Sequence, residues 1–224
     1  STSRGLGDVY KRQPEDHPDV VNAKFDTRID KMIWGISQYS ATFNEGDLFA
    51  PDKYLTDYYT DEALKVIENN KNRPFFLYLS HWAIHNPLQA LRSDVEQMSH
   101  MEGHNLQVYS GMIAALDRSV GEVVQKLKDL DIHGKTLIIF TSDNGGANYI
   151  ELDDINKPYR GWKISFFEGG IRVPYIVSWP DEINPGQNSN DAVHHFDIFS
   201  TIAAAARIKP SNENELDGVN LIPY

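Results

Sequence analysis

The chain has 224 residues, no cysteine and a formal net charge of -11. Without cysteine, disulfides, thiolate metal sites and a cysteine nucleophile within these residues are excluded. The acidic balance argues against non-specific nucleic-acid binding, which needs a basic surface. No run of about 18 apolar residues is present that could span a membrane. An apolar content of 41% and a charged content of 24% are typical of a globular protein with a buried core.

The first 13 residues differ in character from the rest of the chain. Residues 1–13 are polar, contain two glycines and show no period. We expect them to be a leader outside the fold, either non-native or disordered. No linker composition appears later, so residues 14–224 are expected to form a single domain. The chain also starts without the apolar region that a signal peptide needs.

Two segments have the apolar spacing of amphipathic helices. Residues 56–71 are predicted to form the first helix, capped by Thr56, Thr60 or Asp61. Residues 108–130 form the second and clearest one, because apolar side chains recur there at helical spacing between charged ones.

Three short apolar runs alternate with these helices. Residues 74–80, 136–140 and 173–179 have the length and the β-branched or aromatic content of buried strands. A further helix, capped by Asp197, is predicted to extend to Ala206. This order predicts an α/β fold whose mostly parallel sheet is flanked by helices.

Polar side chains follow two of the predicted strands at the point where each strand ends. His81 and His85 follow residues 74–80, while Asp143 and Asn144 follow residues 136–140. Ligand sites in open α/β sheets lie beyond the carboxyl ends of the strands. Carboxylate and amide oxygens suit Ca²⁺ or Mg²⁺. The alternatives are that Asp-Asn-Gly-Gly is only a turn and that the histidines are structural.

A second glycine pair lies downstream of the first. Gly169 and Gly170 follow Lys163 and precede Arg172. Oxygen ligands on one glycine-rich turn and a cation near the other make a plausible oxyanion site.

Four blocks in order resemble the sulfatases of the alkaline-phosphatase-like superfamily. They are PFFLYLSHWAIHNPLQA, YSGMIAALDRSVGEVVQKL, TLIIFTSDNGG and PYRGWKISFFEGGIRVPYIVSWP. Each block alone is weak, but the ordered set is specific. The resemblance implies an alkaline-phosphatase-like fold and hydrolysis of a sulfate ester.

The resemblance also implies roles for four residues. Asp143 and Asn144 match one pair of the family's calcium ligands, which predicts a Ca²⁺ cofactor. His85 and Lys163 match the histidine and the lysine that contact the substrate sulfate. Calcium and lysine would stabilise charge on the transferring group, and histidine would bond to the sulfate ester or protonate a leaving oxygen.

Other family motifs are missing from these residues. Sulfatases have a second acidic calcium pair and a Cys- or Ser-x-Pro-x-Arg motif that becomes the formylglycine nucleophile, and neither is found here. The resemblance therefore implies an incomplete catalytic domain, its carboxyl-terminal part, that is inactive alone. It implies a sulfated small molecule or glycan as substrate and a periplasmic, secreted or lysosomal location.

Two other functions stay open at this stage. One is a non-catalytic relative that binds anions or glycans. The other is a phosphodiesterase or phosphonate hydrolase of the same superfamily, although a transition-metal site would be expected to have histidine at the position of Asn144.

Overall fold

The computed structural model describes residues 18–25, 40–44, 46–152, 154–211 and 216–223. The predicted leader, residues 1–13, lies outside the described residues. Within them the regular elements, in chain order, are β1 Val20–Asn22, α1 Leu55–Asn70, β2 Gln89–Leu91, α2 Arg92–Gln97, α3 His104–Asp129, β3 Ile138–Thr141, a 3-10 turn Asn148–Ile150, α4 Glu168–Ile171, β4 Tyr175–Ser178 and α5 Phe196–Ala205. No described helix is both long enough and apolar enough to cross a bilayer.

The chain divides into two compact units. The first comprises residues 1–133 and 140–175, and the second comprises residues 134–139 and 176–224. The first unit contains every residue that the sequence predicts for the site. The prediction of a single domain stays a prediction.

Helix α3 is the centre of the first unit, where it packs against α1, α2 and β2. Its inner face buries Val108, Met112 and Ala115, as the helical spacing of its apolar residues requires. The core around it is completed by small and aliphatic side chains, namely Ala23, Leu88, Ala90, Val95 and Ile150. Both long helices lie where the sequence predicts them.

The start of α1 differs from the prediction. The N-cap position is Tyr54, and no side chain caps the helix. Thr60 lies one turn inside α1 and is buried, so its hydroxyl faces α3 rather than the helix end. The phenol of Tyr54 is also buried and donates a hydrogen bond to the Gln89 carbonyl at 2.8 Å.

Strands β1 and β2 form an antiparallel pair in which Val20 lies opposite Leu91. Neither strand is predicted from the sequence, because three residues are too few to show a period. Strands β3 and β4 form the other pair, at the places where the sequence predicts strands. The α/β class is therefore observed, while the mostly parallel arrangement stays a prediction.

The prediction for residues 74–80 is wrong. This segment is extended but belongs to none of the strands in the described residues. Its side chains alternate between partly buried and exposed, with Phe76 at 69% and Tyr78 at 81% exposure. An unbroken apolar run cannot distinguish a strand that is buried on both faces from one that buries a single face.

In the second unit, Asp197 is not the cap of α5. The helix begins at Phe196 after His195, so Asp197 lies in its first turn. Its buried carboxylate accepts hydrogen bonds from the backbone N–H groups of His194 and Val219. Asp197 thus ties the start of α5 to the end of the chain.

His81 belongs to a buried hydrogen-bond chain that joins α1 to α3. Thr60 must donate its only hydroxyl proton to the Thr56 carbonyl at 2.7 Å, because a carbonyl only accepts. Ser119 then donates to Thr60 at 2.6 Å, and His81 Nε2–H donates to Ser119 at 3.0 Å. The lone pair is thus on Nδ1, which is buried and has no partner among the described residues. Burial lowers the pKa of His81 to about 4.

An ion pair with one buried partner links three helices of the first unit. Arg118 of α3 donates to both carboxylate oxygens of Asp94 in α2, at 2.7 and 3.1 Å, and to Asp57 of α1 at 3.1 Å. The Asp94 side chain is 3% exposed, whereas that of Asp57 is 32% exposed. These hydrogen bonds raise the pKa of Arg118 above its usual range, so its charge is permanent.

We predict that Arg118→Met lowers the free energy of unfolding by about 3–5 kcal/mol, because Asp94 would remain buried without its partner. Urea unfolding followed by circular dichroism measures the loss. Asp57→Asn is the control and should cost less than about 1 kcal/mol, since its carboxylate is far more exposed. Equal losses in the two variants would contradict the argument.

We also predict that His81 makes the fold less stable in acid. Its pKa is about 6.5 in the unfolded chain and about 4 in the fold. The unfolded state therefore binds the proton first, and stability falls as the pH drops from about 6.5 to 4. In this window His81 should lower the free energy of unfolding by at most about 1.4 kcal/mol for each pH unit of acidification. His81→Gln keeps a donor to Ser119 and should remove this dependence on pH. His100→Gln, at an exposed site, should leave the slope unchanged; the idea fails if the two variants behave alike.

Candidate functional site

The two glycine pairs of the sequence pack backbone against backbone. Gly145 N–H donates to the Gly170 carbonyl at 2.9 Å, and Lys163 N–H donates to the Gly146 carbonyl at 3.2 Å. A Cβ atom on Gly145 would lie 1.9 Å from the Gly169 oxygen. The backbones can approach this closely only because both sides lack side chains. The turn after β3 is thereby fixed against the segment that contains Lys163.

Asn156 strengthens the same contact from the intervening loop. Its amide oxygen accepts from Gly146 N–H at 2.8 Å, and its amide nitrogen donates to the Gly146 carbonyl at 3.0 Å. One side chain therefore satisfies both backbone groups of Gly146. Sequence reasoning did not single out Asn156, and no spacing or composition signal marks it.

Asp143 and Asn144 project from this fixed turn. Asp143 is exposed and Asn144 is half-buried. The Ser142 hydroxyl donates to the Asn144 backbone carbonyl at 3.0 Å, which shapes the turn. Within the described residues, no side-chain hydrogen bond occupies the Asp143 carboxylate or the Asn144 amide, so both are available to a ligand. The described part of the chain contains no group of three or more His, Cys, Asp or Glu residues arranged to hold a metal.

His85 lies on the segment that comes after residues 74–80. Its Nδ1 lies 2.8 Å from the Asn86 carbonyl, and its ring packs on Trp82 with centroids 4.6 Å apart. Since a carbonyl only accepts, Nδ1 bears the proton. In the neutral ring the lone pair is therefore on Nε2.

Lys163 meets His85 at that nitrogen. The distance from Lys163 Nζ to His85 Nε2 is 3.5 Å. The same ammonium donates to the Tyr149 hydroxyl at 2.6 Å and lies 4.9 Å from the centroid of the Tyr149 ring. The structure thus brings together the two predicted sulfate contacts, which are 78 residues apart in sequence. Tyr149 is a third member that the sequence analysis did not identify.

Two other residues from the sequence analysis have different surroundings. Arg172 lies over the Tyr159 ring, 4.7 Å from its centroid, and pairs with Glu168 at 3.4 Å. His81 faces α1 and α3 through the buried hydrogen-bond chain. Neither residue contacts Lys163 or His85 among the described interactions.

We predict that Gly145→Ala disrupts the site and lowers the free energy of unfolding by about 2–3 kcal/mol, because the methyl group has no space between two backbones. The matched control is Gly121→Ala on α3, where no heavy atom lies within 4 Å of the added carbon. That change should raise stability by up to about 1 kcal/mol through helix propensity. Urea unfolding compares the two. The packing argument is wrong if Gly145→Ala is as well tolerated as the control.

Comparisons with known proteins match the chain to enzymes that act on sulfate esters. N-acetylgalactosamine-6-sulfatase of Sus scrofa is 36% identical over 173 residues, which cover 75% of this chain and 32% of that enzyme. Steryl-sulfatase of Homo sapiens is 34% identical over 176 residues, which cover 75% and 29%. The chain therefore spans about a third of the length of these relatives.

The fold agrees with the sequence matches. The crystal structure of Ps i-CgsB in complex with k-i-k-neocarrahexaose superposes with a TM-score of 0.77 at 35% identity, covering 82% of this chain and 41% of that one. The sulfatase family model matches residues 5–208. The resemblance seen in the four sequence blocks is thus confirmed, and with it the α/β fold of the alkaline-phosphatase-like class. The chain belongs to the sulfatase family.

Proposed function

We propose that this chain supplies the sulfate-binding groups of an enzyme that hydrolyses sulfate esters. The observation on which the proposal rests is the environment of Lys163. Its ammonium lies 3.5 Å from an imidazole nitrogen and 2.6 Å from a phenol oxygen. No carboxylate pairs with it among the described residues, so its charge is available to an anionic ligand.

In a protein of net charge -11, several other cations differ from Lys163 because they have carboxylate partners. The ion-paired cations in the described residues are Lys53, Lys65, Lys71, Arg118, Lys126, Lys157 and Arg172. A half-buried ammonium without such a partner is the arrangement that a bound sulfate group requires.

His85 is placed to act on the ester oxygen. When protonated at Nε2, the ring has a donor directed towards Lys163 and towards any anion that the lysine holds. Cleavage breaks the bond between sulfur and the ester oxygen, and the departing oxygen then needs a proton. Transfer of the Nε2 proton to that oxygen leaves His85 neutral, with Nδ1–H still bonded to the Asn86 carbonyl.

A calcium ion fits the donors on the turn after β3. Asp143 and Asn144 offer hard oxygen atoms without other hydrogen bonds, which suits Ca²⁺. They provide only part of the 6–8 oxygens that Ca²⁺ usually takes, so the remaining ligands would come from other groups. When bound, the ion would stabilise negative charge on the sulfate oxygens.

The nucleophile is a separate part of the proposal. These 224 residues contain no cysteine and no Ser-x-Pro-x-Arg sequence. We therefore propose that a formylglycine supplied by other residues provides the attacking oxygen, and that these residues alone do not turn over substrate. Sulfated small molecules or glycans are the proposed substrates, in line with the names of the relatives. The exported or lysosomal location stays a prediction.

We predict that Lys163→Met lowers kcat/KM for sulfate release by about 10²–10³-fold when the chain is expressed within its whole reading frame, because one fixed cation at the transferring group is lost. Released sulfate is measured with an aryl sulfate, a steroid sulfate and a 6-sulfated amino sugar. Lys157→Met, an exposed lysine in the same segment that pairs with Asp154, is the control and should stay within twofold of wild type.

Three outcomes would contradict the proposal. Hydrolysis of phosphodiesters without sulfate release would indicate the phosphodiesterase alternative. Sulfate binding without hydrolysis by the whole protein would indicate a non-catalytic binding protein. Calcium-dependent sulfate release by the 224 residues alone would show that no outside nucleophile is needed.

A further inference from the structure

Tyr149 is a group at the site that neither its sequence surroundings nor a motif singles out. It lies on the 3-10 turn Asn148–Ile150, next to Ile150, which is 4% exposed and belongs to the core. Its ring packs edge-on against Trp162, with centroids 6.1 Å apart. Trp162 directly precedes Lys163, so the ring is held by the backbone that presents the ammonium. Tyr149 is therefore fixed from two sides.

Donor and acceptor can be assigned in the hydrogen bond between Tyr149 and Lys163. An ammonium only donates, so the phenol oxygen is the acceptor in the 2.6 Å hydrogen bond. The phenol keeps its own proton, for which no acceptor is found among the described residues. A phenol that accepts from a cation also becomes a stronger donor. Its O–H group lies beside the same ammonium that His85 Nε2 approaches.

We infer that Tyr149 is a third anion-contacting residue of this site, which holds the Lys163 ammonium in place and donates its own O–H to a sulfate oxygen. The inference rests on the proposed function, since the anion is the sulfate group of that reaction. A lysine has a long flexible stem, and the hydrogen bond to the phenol oxygen restricts where its charge can lie. The sulfate group would then accept hydrogen bonds from three side chains: an ammonium, an imidazole and a phenol.

The test uses inorganic sulfate as the probe and the chain within its whole reading frame, as in the kinetic experiment. Sulfate is titrated at constant ionic strength into protein with ¹³C at Cζ of tyrosine, and binding is followed by NMR. Tyr149→Phe keeps the ring against Trp162 and should weaken sulfate binding about tenfold. In wild type, the Tyr149 Cζ resonance should shift along the same saturation curve as binding.

Tyr159→Phe is the matched control. It removes one hydroxyl from the same segment while keeping an aromatic ring under Arg172. Its affinity should stay within twofold of wild type, and the Tyr159 resonance should not follow the titration. Lys163→Met should lose more affinity than Tyr149→Phe. In the Lys163→Met background, removing the Tyr149 hydroxyl should cost less than in wild type, because its positioning role acts through the lysine.

The outcomes separate this inference from the proposed function. If Lys163→Met abolishes binding while Tyr149→Phe stays within twofold and the Tyr149 resonance is silent, Tyr149 is not a contact and the proposed function stands. If wild type shows no saturable sulfate binding, both the anion site and the role of Tyr149 are overturned. The wild-type resonance decides the question even if the phenylalanine variant fails to fold.

Discussion

The close contact between two glycine-bearing backbones determines what this site can contain. Gly145 bonds to Gly170, and Gly146 bonds to both Lys163 and Asn156. The acidic turn after β3 and the cationic segment before α4 are thereby fixed to each other through main-chain atoms. Side chains that stand on such a frame lose little further entropy when they bind a ligand. The positions of Asp143 and Lys163 therefore depend on residues that have no side chain at all.

The charged side chains at this site differ in their partners from the Asp94–Arg118 pair of the first unit. Elsewhere in the first unit, the buried carboxylate of Asp94 is paired with Arg118. At the site, no carboxylate pairs with Lys163, and no side-chain hydrogen bond occupies the Asp143 carboxylate within the described residues. The cation on one segment and the anion on the turn fixed against it could each bind a ligand of opposite sign, namely the proposed sulfate group and divalent cation.

The sequence predicts those parts of the structure in which a local pattern determines the outcome. Helices α1 and α3 follow from apolar spacing, and β3 and β4 from β-branched runs, whereas the three-residue strands β1 and β2 are too short to show any period. The strand prediction for residues 74–80 is wrong because an apolar run does not reveal which of its faces is covered. The pairing of His85 with Lys163 came only from the family resemblance. Tyr149 and Asn156 were missed because their roles arise from contacts that only folding creates.

His81 and His85 show why two similar residues in one segment take different roles. Both come after residues 74–80, and both have one ring nitrogen fixed by a hydrogen bond within the protein. His81 donates from Nε2 into a closed chain of hydroxyls, so its remaining nitrogen faces a buried space and the pKa of the ring is low. His85 donates from Nδ1 to the adjacent carbonyl, so its remaining nitrogen faces Lys163. The tautomer that each hydrogen-bond partner imposes thus separates a structural histidine from the one that we propose to exchange a proton with substrate.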